Sequence, residues 1–174
     1  INRRGLSRSF QVTNNFPKMT VFENIRCALL WPMGYRYSFW HLCVRLRKVN
    51  AKAEAILEKI NLAQRRHIPA EMLAYAEQRA LEIGITIAGD KDVILLDEPT
   101  AGMSHSETDR AVQLIHSVTE DKTLIVVEHD MGVVFDLADR ISVLVYGEII
   151  ATDTPDNIRS NPEVQEAYLG KEIA

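Results

Sequence analysis

The stretch Val93-Ile-Leu-Leu-Asp-Glu-Pro-Thr100 constrains this chain more than any other. Four apolar residues in a row are short for a helix and right for a strand buried on both faces. Two carboxylates follow, and then Pro99, which cannot donate to a sheet and stops the strand. Asp97 and Glu98 are therefore expected at the carboxyl end of a parallel strand, where open α/β sheets place their ligands. Neighbouring strand residues point to opposite faces, so one carboxylate can hold a cation while the other reaches a water. A solvated acidic turn would read the same way, and the other strand ends have to decide.

The second half alternates regularly. Ser104-His-Ser-Glu107 is a capping box opening a helix whose buried side is Val112, Leu114, Ile115 and Val118. Thr123 to Glu128 reads as a second buried strand, followed by His129-Asp130, a short helix over 131–138 and a strand from Ile141 to Tyr146. Gly147-Glu148 turns the chain into Ile149-Ile150-Ala151, and Thr154-Pro155 starts a terminal helix. Strands alternating with helices argue a parallel, doubly wound α/β sheet. Upstream, Gly5 to Gln11 reads as a strand anchored by Leu6 and Phe10, with a turn through Thr13-Asn14-Asn15 and Pro17. Thr20-Val-Phe-Glu23 is another capping box, and the chain from about Thr20 to Ala88 reads as almost wholly helical, a lobe inserted between two strands.

Trp31, Tyr35, Tyr37, Phe39 and Trp40, with Arg36 and His41, form an aromatic cluster in that lobe. It suits core packing or a docking surface for another protein, where aromatics and Arg are favoured. Arg45, Arg47 and Lys48 read as a solvated helical face. A net charge of −4 gives no support to nucleic-acid binding. Cys27 and Cys43 show no metal or redox spacing and are read as free thiols of a cytosolic protein. No uninterrupted apolar run nears about 18 residues, so no membrane span is expected. The chain begins Ile-Asn-Arg-Arg without Met and reads as a fragment.

In a parallel sheet, Gln11, Asp97-Glu98 and His129 would share one edge. An amide, two carboxylates and an imidazole around a cation suit metal-assisted transfer with an activated water. At this point the chain resembles the ATP-binding subunits of ATP-binding cassette (ABC) transporters, most closely those of branched-chain amino-acid importers. The resemblance rests on Arg8-Ser-Phe-Gln11 with Met19-Thr-Val-Phe-Glu-Asn24, Leu73-Ala-Tyr-Ala-Glu-Gln78 with Leu81-Glu-Ile83, Leu95-Leu-Asp-Glu-Pro-Thr-Ala-Gly102, Val127-Glu-His-Asp-Met131, and Ala167-Tyr-Leu-Gly170.

The resemblance implies an incomplete P-loop NTPase fold, with an α/β core at 1–19 and 89–174 and a helical subdomain at 20–88. It implies that Asp97 holds Mg2+, that Glu98 polarises the attacking water, and that Gln11 touches both metal and water. His129 would donate to the γ-phosphate. Ala74, Tyr75, Ala76 and Glu77 match the signature segment, and Ala101, Gly102, Met103 and Ser104 the D-loop. The implied partners are a transmembrane permease docked on the helical lobe and a second ATPase subunit in a homo-oligomer, with no nucleic acid. The implied location is cytoplasmic, at the inner face of the cell membrane.

Two departures qualify the match. No G-x-x-x-x-G-K-[ST] phosphate loop occurs in these 174 residues, so ATP and Mg2+ are expected of the complete protein and none of this chain alone. The family's signature Ser and Gly are here Ala74 and Ala76, a lost hydroxyl and an added Cβ. The reading is therefore a truncated importer ATPase, with a decayed or repurposed permease-docking module as the alternative.

Overall fold

The computed structural model describes residues 6–8, 15–35 and 46–169. Gln11, Phe10, residues 36–45 with most of the aromatic cluster, Cys43, Arg45 and Gly170 lie outside them. The chain divides into two compact units, Ile1–Glu128 and His129–Ala174.

In the first unit, Leu6–Arg8 (β1), Val93–Asp97 (β2) and Thr123–Val127 (β3) form a parallel sheet in that order. Val93 pairs with Leu6 on one side and Thr123 on the other, and Asp97 with Val127, so β2 and β3 end together. The parallel layout expected of these three strands is present. Burial departs from expectation. Ile94 and Leu96 of β2 are buried, while Val93 and Leu95 are half-exposed. In β3, Ile125 and Val127 are 48% and 54% exposed. β3 is an edge strand with one neighbour among the described residues, so its apolar run reports β propensity without two-sided burial.

Between β1 and β2 lies the helical lobe: Val21–Leu30 (α1), Arg47–Lys59 (α2) and Tyr75–Ile87 (α3), with short 3-10 turns at Ala63–Arg65 and Ala70–Met72. Ile25, Leu29, Val49, Leu57, Ile60 and Leu81 are at the centre of its core. Gly84 permits the close approach of α3: a Cβ there would stand 2.7 Å from Ile60 Cδ1 and 3.0 Å from Ile25 Cδ1. Of the aromatic cluster, Tyr35 packs against this core and Trp31 is exposed. Arg47 and Lys48 are exposed, as a solvated face requires.

The Thr20 capping box forms in full. Glu23 N donates to Thr20 Oγ1 at 3.2 Å, and Glu23 Oε2 accepts from Thr20 N and Oγ1 at 2.9 Å each. The bond from the Thr20 backbone, then that from its hydroxyl, holds the Glu23 carboxyl below its usual range. Asn24, fully enclosed, clamps the preceding turn to α1. Its Oδ1 accepts from Phe16 N at 2.7 Å, and its Nδ2 donates to the carbonyls of Phe16, Met19 and Thr20.

The helix His105–Thr119 (α4) follows β2, with Val112, Ile115 and Val118 buried as its spacing predicts; Leu114, expected with them, is half-buried against the lobe core. In the second unit, Met131–Leu137 (α5) leads to Ile141–Val145 (β4), which pairs antiparallel with Glu148–Asp153 (β5). β4 was expected in the parallel sheet. The two-residue loop explains the hairpin: Tyr146 and Gly147 have φ of +49° and +88°, the left-handed pair that matches strand twist. Pro155–Ser160 (α6) and Pro162–Leu169 (α7) follow, and Ile141, Val143, Ile158 and Val164 make this unit's core.

Replacing Asn24 by Ala leaves buried backbone groups of the Phe16–Thr20 turn without a partner. The expected loss is about 2–3 kcal/mol of unfolding free energy, read from urea denaturation followed by circular dichroism.

Candidate functional site

The site is built where β2 and β3 end. Parallel register brings the residues after Asp97 and Val127 side by side, and Glu98 N donates to Val127 O at 2.9 Å. Asp97, the last strand residue, is half-buried. Glu98 does not continue the strand alternation assumed from sequence. Its φ is +46°, a left-handed conformation that costs a residue with a Cβ roughly 1–2 kcal/mol. Strain of this kind persists only where the surroundings over-determine it, and it gathers at functional sites. The surroundings here are the β3 bond on one side and buried Pro99 and Thr100 on the other.

Glu128 completes that frame. Its Oε1 accepts from Thr100 N at 3.0 Å and from Thr100 Oγ1 at 2.6 Å, tying the turn after Glu98 to the end of β3. Sequence reasoning gave Glu128 no role. The signal was present, because an apolar run ending in a carboxylate occurs there as it does at Asp97-Glu98.

The expected signature segment, 74–77, and the expected D-loop, 101–104, meet in the same chain. Tyr75 Oη donates to Ala101 O at 2.7 Å, and Gly102, with φ +77°, passes under the Tyr75 ring. Arg79 Nε and Nη2 donate to Tyr75 Oη at 3.2 and 3.0 Å, and Arg79 Nη1 to Glu82 at 2.9 Å. Ala74 is the N-cap of α3; its N–H donates to Glu77 Oε2 at 3.0 Å, and Arg65 Nε donates to Glu77 Oε1 at 3.1 Å. Ser104 caps α4 through Glu107 Oε2, which accepts from its hydroxyl at 2.6 Å and its N–H at 2.9 Å. The hydroxyl bond first, then the backbone bond, keeps the Glu107 carboxyl below its usual range. Ala74, Ala76 and Glu77 share a cleft of about 510 Å3 with Met103, Glu107 and Arg110.

Of the expected residues, Asp97 and Glu98 thus stand together, as do Ala74–Glu77 and Ala101–Ser104. Gln11 lies outside the described residues. His129 is exposed and opens the second unit, beside Asp130, whose Oδ1 caps α5 through Gly132 N and Val133 N. Among the described residues no three His, Cys, Asp or Glu side chains form a metal-holding group. One carboxylate at the end of an apolar strand fits Mg2+, which takes one or two protein carboxylates and fills its shell with water and phosphate oxygens.

A parallel sheet presenting carboxylates at its strand ends, with a helical lobe inserted between β1 and β2, is the layout of an ATP-binding cassette. The comparisons agree. The ABC transporter family model matches residues 1–101, and the branched-chain amino acid ATP-binding cassette transporter model matches 148–174. The chain is 36% identical over 179 residues to the high-affinity branched-chain amino acid transport ATP-binding protein LivG of Escherichia coli strain K12, covering 98% of this chain and 70% of that one. It is 35% identical over 183 residues to BraF of Pseudomonas aeruginosa, with the same coverage. Among solved structures, the ADP conformation of MJ1267, an ATP-binding cassette of an ABC transporter, superposes with a TM-score of 0.79 at 25% identity, over 97% of this chain and 70% of that one. The chain belongs to the ABC transporter ATP-binding family. Among the described residues, no helix is long and apolar enough to cross a membrane.

If Glu98 is held left-handed by its frame, glycine relieves the backbone at that position and alanine does not. Glu98→Gly is expected to unfold about 1 kcal/mol later than Glu98→Ala in a denaturant titration.

Proposed function

We propose that this chain supplies the water-activating and lobe-bearing part of an ATPase that energises import of branched-chain amino acids. The observation that supports it most is the framed, left-handed Glu98 directly after Asp97 at the end of β2. A carboxylate fixed there is positioned to orient a water and accept its proton as the water attacks a γ-phosphate, while Asp97 would hold Mg2+. When bound, the ion bridges phosphate oxygens and offsets the charge that develops on them. By resemblance to the family, Gln11 and His129 are assigned to metal and γ-phosphate contact. Residues 20–88 are the lobe on which a permease would dock, at the cytoplasmic face of a membrane, with a second ATPase subunit opposite. LivG and BraF are named as branched-chain amino acid transport proteins, and the substrate class follows theirs.

The alternative, a permease-docking module without hydrolysis, draws on a separate observation. Ala74 offers no hydroxyl, and Tyr75 bonds to Ala101 of its own chain. A signature segment held on its own D-loop has less freedom to reach a nucleotide across a dimer.

Two measurements separate these readings. The 174 residues alone, lacking a phosphate-loop sequence, are expected to show no low-micromolar Mg-ATP binding by calorimetry; such binding would remove the phosphate loop from the argument. Joined behind the N-terminal portion of LivG, the chain is expected to hydrolyse ATP, and Glu98→Gln to lower turnover by about 10²-fold or more with binding retained. A chimera that binds ATP without turnover, and gains it on Ala74→Ser with Ala76→Gly, would favour the docking module.

A further inference from the structure

We propose that Arg65 is a positioning residue for the segment 74–77: it holds the Glu77 carboxylate on the Ala74 amide and offsets its charge, so that the N-terminus of α3 can receive a phosphate. The inference rests on the ATPase reading and adds to it a residue outside the signature and D-loop segments. α1, α3 and α4 each carry a glutamate at the third helical position. Glu23 and Glu107 bring one carboxylate oxygen to both the N–H and the hydroxyl of their cap residues, Thr20 and Ser104. At α3 the cap residue is Ala74, which offers the N–H alone, and Glu77 Oε2 accepts from it at 3.0 Å. The second donor comes from elsewhere. Arg65 Nε donates to Glu77 Oε1 at 3.1 Å, so the guanidinium takes the place that a hydroxyl holds in the other two caps.

Arg65 is presented from a fixed base. Its N–H donates to Leu62 O at 2.9 Å within the 3-10 turn, Leu62 is buried in the lobe core, and the carbonyl of Arg66 accepts from Phe22 N at 3.0 Å. The other cations nearby are engaged: Arg66 pairs with Glu54, Arg79 with Glu82, and Arg110 acts on Glu107. Among the described residues, Arg65 is thus the cation bonded to Glu77.

Charge decides what this pair does. A helix N-terminus carries roughly half a positive charge, and the first N–H groups of α3 have no carbonyl of their own helix to meet. A lone carboxylate at Glu77 would bring a full negative charge to that turn, outweigh the helix and repel an anion. Paired with Arg65 it adds no net charge, and the helix end keeps its attraction for phosphate. Ala74 makes this balance matter more, since it has no hydroxyl to offer a phosphate oxygen where the family has serine.

The test uses the chain joined behind the N-terminal portion of LivG, with turnover and Mg-ATP binding measured separately. Arg65→Gln is expected to lower turnover about fivefold, the upper range for one exposed ion pair. Binding is expected to be retained, because α3 of one subunit would face a nucleotide held on the phosphate loop of the other. Arg65→Lys, which keeps the charge, is expected to retain most of the turnover. In a Glu77→Gln background there is no charge to offset, and glutamine can still cap the Ala74 amide, so the Arg65→Gln loss is expected to vanish. A merely structural Arg65 would cost the same in both backgrounds. In the 174-residue chain itself, Arg65 is exposed, and Arg65→Gln is expected to stay folded while amide exchange at Ala74 quickens about threefold. An active chimera indifferent to Arg65→Gln, an equal loss in the Glu77→Gln background, or unchanged exchange at Ala74 would each overturn the proposal and leave the ATPase reading standing. A parent chimera without turnover would overturn the ATPase reading, and the phosphate role of Arg65 with it.

Discussion

The hydrogen bond from Glu98 N to Val127 O, the last rung between β2 and β3, is the constraint on which the site depends. It extends a sheet ladder one residue past the strand, onto a residue that has already turned left-handed. A backbone in that conformation would relax if its amide were free to move. The rung prevents this, and Glu128 prevents it again from the other side by bonding Thr100 twice. The carboxylate of Glu98 is therefore directed by the backbone of one strand and the side chain at the end of another. Rigid elements set the position of its backbone, as the proposed role of proton acceptor to a water requires.

The elements with local signals were legible in the sequence. Capping boxes at Thr20 and Ser104, the Thr154-Pro155 start and the apolar spacing of α4 each involve residues no more than four apart, and each occurs in the structure. The parallel sheet was expected from the alternation of strands and helices, and the shared edge of β2 and β3 from parallel register. What sequence did not yield is what depends on neighbours distant in the chain. An apolar run such as Leu124-Ile-Val-Val127 specifies a strand, but how many sides of it are covered is decided by the rest of the sheet. The turn expected at Gly147-Glu148 lies one residue earlier, at Tyr146-Gly147, because Tyr146 takes a positive φ that its residue type does not announce.

The site itself was read in part. Asp97 and Glu98 announce themselves by breaking an apolar run in front of proline. The left-handed turn at Glu98 has no such mark, since glycine or asparagine usually signals one. Glu128 was overshadowed by His129, the residue to which the family resemblance gives a role. Its role is to brace, and a bracing residue is recognised only once its partner, Thr100, has a position.

The contact between Tyr75 and Ala101 joins the helical lobe to the end of β2 by a short path. Tyr75 begins α3, whose Gly84 lies against the Ile25 and Ile60 side chains of the lobe core. Ala101 is three residues past Glu98 and next to Thr100, which Glu128 holds. A tilt of α3 would then either break the Tyr75 bond, at about 1 kcal/mol for a bond of this exposure, or move the loop at 101–104 with it. Arg79 favours the second course, because it donates to the same hydroxyl from one turn further along α3 while paired with Glu82. The tyrosine is held from behind and pulls on a loop whose other end is braced. Gly102, left-handed under the ring, is where that loop has freedom to bend. The lobe thus meets the strand end through this hydroxyl as well as through the packing of α2 and α3 on α4, and Gly102 is the point of greatest backbone freedom beside it.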